Sequence, residues 1–449
     1  GASFGVKIAL DNSGNGTALI GSQTDTLEGI ENIKGSNYSD TIISNDTNSM
    51  SNTFWGGIGN DTLGGGSGND YLYGESGDDK IIASSGSDFI DGGSDSEIFG
   101  DTLDFSSINA KIALTLAEDG NESRAYEDGI ATHRVYNIEN IIASGLDSTL
   151  KGNSKNNTLT GGAGNDTLSG GAGTNYLHGG GGVNTVDYSD ASNEVTVDLS
   201  KSGIQEVYTV GATTVKDVLV NIQNVIGSNH KDIITGNSSA NSLYGGLGND
   251  TIVGSSGNDT LDGGDGIDVA SYTDATEDLN IDLGVSGVAV SISPTYGSDT
   301  FISIEGAIGG SGDDTITGTS SSNVLIGGDG DDTLLPNGNN GNDELDVIDG
   351  GSGTDFVSFA FGGATNVTLD LADSGVQNTG KGKVQITNIE NVEGGAGADK
   401  LYGNSSNNTL SGLAGDDTLV GRAGNNKLDG GADFDTADYS SVSSLNGIN

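Results

Sequence analysis

From Gly56 to Asp91 one aliphatic residue falls at every ninth position: Leu63, Leu72, Ile81 and Ile90, with small and polar residues between them. The same spacing returns at Leu401, Leu410, Leu419 and Leu428. One apolar position per nine residues is too sparse for an amphipathic helix, whose apolar face recurs every three to four residues. It fits short strands that each send one side chain inward, separated by glycine-rich turns. Other stretches alternate strictly: Lys7-Ile8-Ala9-Leu10, Val195-Thr196-Val197-Asp198-Leu199, Leu279-Asn280-Ile281-Asp282-Leu283 and Val367-Thr368-Leu369-Asp370-Leu371. Period two predicts strands with one buried face. No spacer has a helical period, so the expected fold is all-β.

Between Gly56 and Asp91 four units follow without a gap: GGIGNDTLG, GGSGNDYLY, GESGDDKII and ASSGSDFID. Gly stands at position 4, Asp at position 6 and the aliphatic residue at position 8. The pattern G-G-x-G-x-D-x-U-x is a known calcium-binding β-helix nonapeptide. Glycine permits left-handed turns and close backbone approach. The aspartate and the turn carbonyls supply hard oxygens suited to Ca²⁺.

A longer repeat encloses the short one. Phrases such as Ile30-Glu31-Asn32-Ile33, Ile138-Glu139-Asn140-Ile141, Ile222-Gln223-Asn224-Val225, Ile304-Glu305-Gly306-Ala307 and Ile389-Glu390-Asn391-Val392 announce five blocks. After a longer first interval they recur about every 82 to 85 residues. The expected organisation is five super-repeats joined by strand-rich spacers, at 1–104, 105–190, 191–274, 275–360 and 361–449. The spacers either form wider turns of the same solenoid or small bridging sheets. Insertions of about three residues near Ser44–Asp46 and about five within Pro336–Asp349 interrupt the period.

If each nonapeptide is half a turn, residues 18 apart stack on one edge. This predicts stacks of Asp61 with Asp79 and Asp70 with Asp88 in block one, with Asp40 joining across its insertion. Block three stacks Asp232, Asp250 and Asp268, and Asp259 holds position 6 of its own unit. Block four stacks Asp314, Asp332 and Asp355; block five stacks Asp399, Asp417 and Asp435. In block two Asp166 stands between Ser148 and Asn184. These sixteen aspartates are the candidate calcium ligands. The opposite edge carries Asn at position 6: Asn52, Asn157, Asn241, Asn323 and Asn408. Asn157 over Asn175 and Asn408 over Asn426 predict amide ladders. Block one is expected to be the only block with aspartate stacked on both edges, hence the most fully loaded, and block two the least.

Composition narrows the function. The formal charge is -48, from 64 acidic and 16 basic residues. That excludes nucleic acid as a partner and makes divalent cations an expected folding requirement. There is no cysteine, so no disulfide can cross-link the chain. No apolar run is long enough for a membrane-inserted helix. The start, GASFGVKIALD, lacks signal-peptide regions, and the array stops mid-pattern after Tyr439-Ser440-Ser441-Val442. Both features read as a segment of a longer protein.

The repeats resemble the repeats-in-toxin (RTX) family of secreted bacterial proteins, closely over the five blocks and loosely over the spacers. The resemblance implies a right-handed parallel β-roll, Ca²⁺ between stacked turns, and folding outside the cell. It also implies one-step (type I) export with an uncleaved C-terminal signal, of which Leu445-Asn446-Gly447-Ile448-Asn449 shows no clear trace. The family uses the scaffold in enzymes, toxins, adhesins and surface layers, so fold alone leaves activity open.

No enzyme is expected. His133, His178 and His230 form no H-E-x-x-H motif, and His178 reads as a solvated loop residue. Gly1-Ala2-Ser3-Phe4-Gly5 matches G-x-S-x-G without the strand and helix a nucleophile elbow requires. Trp55 reads as a cap over Phe54. The leading expectation is a calcium-stiffened structural segment of a bacterial cell-surface protein: surface layer, filament or adhesin stalk. The alternative is a non-catalytic roll module of a polysaccharide-active enzyme or of a toxin. Candidate partners besides calcium are copies of the chain itself, end to end or in a lattice, and cell-surface polysaccharide.

Overall fold

The computed structural model describes residues 4–440 apart from 46, 48, 94–98, 338–343, 362 and 364. Among the described residues every regular element is a strand. The chain forms two compact units, 1–226 and 227–449.

In the first unit successive nonapeptides alternate between two sheets. One sheet stacks Thr41–Ser44, Thr62–Gly64, Lys80–Ile82, Thr102–Asp104, Asn140–Ile142, Thr158–Gly162 and Thr174–Gly180, all parallel. The other stacks Asn32–Lys34, Thr53–Ile58, Tyr71–Ser76, Phe89–Gly93 and Ile130–Tyr136, also parallel. The register is the expected half-turn per nonapeptide. Leu63 pairs with Ile81 and Ile81 with Leu103; Phe54 pairs with Leu72 and Leu72 with Ile90. All six are fully buried, and each contributes about 1.5–3 kcal/mol by leaving water. The fold is a parallel β-roll.

The second unit repeats the scheme. Ile233–Thr235, Thr251–Val253, Val269–Ser271, Gly306–Ile308, Val324–Asp329, Leu345–Ser352 and Lys383–Thr387 form one continuous parallel stack. Another runs from Asn280–Asp282 to Lys427–Asp429. Leu401, Leu410 and Leu419 are buried as expected, whereas Leu428 is only half-buried.

The spacers do both things the sequence allows. Their first strands join the roll in parallel, as Val6–Leu10 does with Thr41–Ser44, Ile112–Thr115 with Thr149–Lys151, and Thr368–Asp370 with Lys400–Tyr402. Each spacer also carries an antiparallel pairing, such as Ser123–Glu127 with Ile130–Tyr136, Gln205–Val210 with Thr213–Val220, and Ala289–Ser293 with Gly297–Ile302. The second strand of each of these hairpins then returns to the roll in parallel.

Two side-chain expectations change. Phe54 fills the core, while Trp55 points outward, stacks on Tyr73 (centroids 5.8 Å, planes 7° apart) and lies under the Lys34 ammonium at 4.9 Å. Alternation along Thr53–Ile58 sends neighbours to opposite faces, so Trp55 cannot cap Phe54. His178 lies on the strand Thr174–Gly180, half-buried and stacked on Tyr176, rather than in a loop. The G-x-S-x-G string and the segment after residue 440 lie largely or wholly outside the described residues, as do parts of both predicted insertions.

Candidate metal centre

Each turn passes its aspartate to the next. The Asp40 backbone N–H donates to Asp61 Oδ1 at 2.7 Å, Asp61 to Asp79 at 2.6 Å, and Asp79 to Asp101 at 2.7 Å. On the other edge Asn52 donates to Asp70 and Asp70 to Asp88, at 2.7 and 2.9 Å. The same N–H to carboxylate step links Asp232–Asp250–Asp268, Asp314–Asp332–Asp355 and Asp399–Asp417–Asp435. Asp166 receives Ser148 and its own N–H goes to Asn184. All sixteen candidate aspartates are in place on these ladders, Asp259 included through its bond from Asn241. All are buried except Asp435, which is exposed.

The turn that permits this stacking needs glycine at position 4. Gly77 has φ +128, and a Cβ there would lie 2.2 Å from the Gly59 carbonyl oxygen of the turn below. No other residue fits both conditions.

One carboxylate oxygen is thus consumed by the ladder; the second is the chemically informative one. Among the described residues, Oδ2 of Asp61, Asp166, Asp250, Asp259, Asp268, Asp332, Asp355 and Asp417 is buried with no hydrogen-bond partner. It faces the glycine five residues earlier. A Cβ on Gly56 would meet Asp61 Oδ2 at 2.3 Å and the Gly74 carbonyl at 2.7 Å. On Gly245 it would meet Asp250 Oδ2 at 2.2 Å and the Gly263 carbonyl at 2.6 Å; on Gly327, Asp332 Oδ2 at 2.1 Å and the Gly350 carbonyl at 2.6 Å. A carboxylate oxygen and a carbonyl from the next turn therefore converge on space left by a missing side chain, with no donor between them. Burying such oxygens is costly unless a cation joins them, and hard oxygens of this kind suit Ca²⁺.

The electrostatics agree. Burial pushes the Asp250, Asp259 and Asp332 carboxyls up to about 7, and neighbouring carboxylates add to the rise. Burial likewise lifts Asp61, Asp166, Asp268 and Asp355 to about 6. Among the described residues no three acidic or histidine side chains gather at one point as a ready-made metal cluster. Carboxylates arrive one per turn, so the remaining ligands of an inter-turn ion would be carbonyls. The residues present fit calcium on those terms.

The first member of a ladder differs from the rest. Asp314 Oδ2 accepts the Gly310 N–H at 2.7 Å and Asp399 Oδ2 the Gly395 N–H at 2.6 Å. Asn157 and Asn408 start ladders in the same way, and their Nδ2 groups donate to the carbonyls of Glu139 and Glu390, both at 2.8 Å. A carboxylate could not make that bond, which explains asparagine there. Asn157 does stack under Asn175 and Asn408 under Asn426, but the link is backbone N–H to Oδ1 at 3.0 and 2.9 Å, not side chain to side chain.

The ends of the ladders are not visible in the repeat spacing. The Asp101 N–H donates to Glu139 Oε2 at 2.9 Å, Asp268 to Glu305 at 3.0 Å, Asp355 to Glu390 at 3.1 Å, and Asn184 to Gln223 Oε1 at 2.8 Å. The acidic or amide residue of each I-E-N-like phrase closes the preceding ladder. The opposite edge ends differently. His133 takes the rung after Asp88, with Nδ1 3.2 Å from Asp88 Oδ2 and Nε2 2.9 Å from Glu127 Oε1. Asp217 and Asp299 end two others, each receiving a buried tyrosine hydroxyl: Tyr188 at 2.8 Å and Tyr272 at 2.6 Å. Asp346 follows Asn323.

Because the Asp259 N–H donates to Asp299 Oδ1 at 2.9 Å, block three also stacks aspartate on both edges. Block one is therefore not the only such block, contrary to the expectation from the sequence. Asp299 escaped notice because it lies on a hairpin strand, 40 residues from Asp259 rather than 18.

A parallel β-roll whose turns present paired carboxylate and carbonyl oxygens defines a calcium-binding repeat protein. The family model of the RTX calcium-binding nonapeptide repeat matches residues 25–63, 46–81, 64–97, 151–186, 226–270, 308–345, 387–419 and 402–437. These matches cover more than half of the chain, and the chain belongs to that family. No curated protein matches it.

Proposed function

We propose that this calcium-binding repeat module is a structural segment of a secreted bacterial cell-surface protein, part of a surface layer, filament or adhesin stalk. The observation that carries the reading is the set of buried Oδ2 atoms aimed at glycine cradles, repeated in both units. A roll built this way gains stability by mass action when an ion binds the folded turns and not the unfolded chain. Extracellular modules bind calcium at about 10⁻⁴–10⁻³ M, so the chain stays unfolded inside the cell and stiffens outside it.

We read the segment as non-catalytic. Two of the histidines serve packing and ion pairing, His133 buried between two carboxylates and His178 stacked on Tyr176, and His230 is exposed. Among the described residues no helix is long and apolar enough to cross a membrane. Copies of the chain and cell-surface polysaccharide are the proposed partners. Circular dichroism in chelator and then in millimolar calcium tests the core of the reading. A β signal that is already complete without metal would refute it. Imaging for ordered lattices or filaments after calcium addition tests the surface-layer assignment.

A further inference from the structure

Four ladders end on a four-residue junction built alike. A residue with left-handed backbone precedes the phrase: Asn137 (φ 52), Asn221 (φ 54), Ser303 (φ 48) and Asn388 (φ 53). Its carbonyl oxygen points at a glycine of the last turn. A Cβ on Gly92, Gly179, Gly263 or Gly350 would lie 2.1, 2.3, 2.2 or 2.1 Å from that oxygen. The last Asp or Asn of the ladder reaches the same point, and the Glu or Gln two residues after the left-handed one accepts its N–H.

The four copies differ in charge in a way that constitutes an internal comparison. At 184 and 223 both acids are replaced together by amides. There Asn184 Nδ2 donates to the Asn221 carbonyl at 3.0 Å and to the Gly181 carbonyl at 2.8 Å, so the amide satisfies the oxygens itself. At the first junction the Lys155 ammonium lies 2.8 Å from Glu139 Oε1. At the other two no such donor is present among the described residues: Asp268 and Asp355 are fully buried, and their Oδ2 atoms have no hydrogen-bond partner there.

We propose that Asp268, the Ser303 carbonyl and Glu305, and likewise Asp355, the Asn388 carbonyl and Glu390, form terminal divalent-cation sites closed by glutamate, whereas the Asn184–Gln223 junction holds no ion. The class of ligand is a hard divalent cation, calcium in the first instance. Glutamate suits a terminal position because no further glycine turn follows to supply the next aspartate. Its extra methylene reaches back one rung from the strand that opens the next block. The inference rests on the calcium reading of the repeats and adds ligands and a stoichiometry to it.

The test counts ions on the full chain by calcium-electrode titration and native mass spectrometry. Glu305→Gln should weaken one site by about tenfold or more, the scale seen even for groups that only orient a metal's ligands, or remove one ion from the count. Unchanged number and affinity in a folded Glu305→Gln protein would overturn the proposal. A second variant works in the opposite direction: Asn184→Asp with Gln223→Glu should gain one ion, and no gain would equally overturn it. A parent chain that binds no calcium at all would fail the reading of the repeats, an outcome distinct from both.

Discussion

His133 Nδ1 lies 3.2 Å from Asp88 Oδ2, at the rung where the ladder would otherwise stack another carboxylate. Burial alone would lower the imidazole pKa, but hydrogen bonds to Asp88 and Glu127 raise it to about 9. The charged ring donates from both nitrogens. The Asp88 backbone N–H is also 3.3 Å from Nδ1, a contact that only a neutral ring could accept, and the two flanking carboxylates decide for the cation. The first block therefore ends on a covalently tethered positive charge.

Removing that charge should be costly. His133→Ala leaves Asp88 buried without its counter-ion, and breaking a buried pair in this way costs about 3–5 kcal/mol. Chemical denaturation with calcium held constant measures it. His133→Asp should behave differently, being unstable in chelator and partly rescued by calcium; equal instability in both conditions would argue against the tethered-cation account.

Protons should imitate calcium. Asp250, Asp259 and Asp332 carry folded-state values of about 7 without metal, against about 3.9 when unfolded. The folded chain binds more protons in that interval. Their contribution is thus full below about pH 4 and lost as pH rises through 7. Calcium-free protein should gain β structure when acidified from about pH 7.5 to 5, and its calcium affinity should fall over the same range. Dichroism at both pH values checks the first point and isothermal titration the second.

A single methyl group should close a site. Gly245→Ala would set a Cβ 2.2 Å from Asp250 Oδ2 and 2.6 Å from the Gly263 carbonyl. The clash should cost about 1–3 kcal/mol and weaken one ion. Gly203, with nothing within 4 Å of its Cβ position, is the control, and Gly203→Ala should be nearly neutral.

Asparagine at a ladder start should not tolerate added charge. Asn408→Asp loses the Nδ2 bonds to the Glu390 carbonyl and to Asn404 Oδ1 and sets acceptor against acceptor. A loss of about 1–3 kcal/mol is expected, measured by thermal melting in saturating calcium. A more stable variant would mean that calcium occupies this edge as well.

Trp55, the sole tryptophan, stacks on Tyr73 beside the first block's ladders. Its fluorescence should change at a calcium concentration no higher than the dichroism transition of the whole chain. A later change would remove the first block from the most readily loaded sites.

The residues differ in how far the sequence alone discloses their place. Asp61 and Asp79 were legible because their separation of 18 equals one turn, and Asp355 because its insertion left the flanking units intact. Asp101 was hidden: it stands 22 residues after Asp79. Glu139, Glu305 and Glu390 were visible as a marker phrase but not as ladder ends, since glutamate differs from the repeated aspartate and begins the following block. His133, Asp217 and Asp299 sit on hairpin strands, where period-two alternation conceals the nonapeptide phase. Spacing reveals what the roll repeats; only the folded register reveals where it stops repeating.

The I-E-N-like junctions have one further consequence. Glu390 ends one ladder with its side chain, while its carbonyl holds Asn408 at the start of the next and the neighbouring Asn391 Oδ1 accepts the Thr409 N–H. Glu139 and Asn140 do the same for Asn157 and Thr158. A stretch cut from one such phrase to the next thus carries its own terminator and its own starter. Recombination between phrases that share these residues can duplicate or delete whole cassettes while the seam is rebuilt from the same contacts. The length of such an array is free to drift in a lineage without the fold being renegotiated.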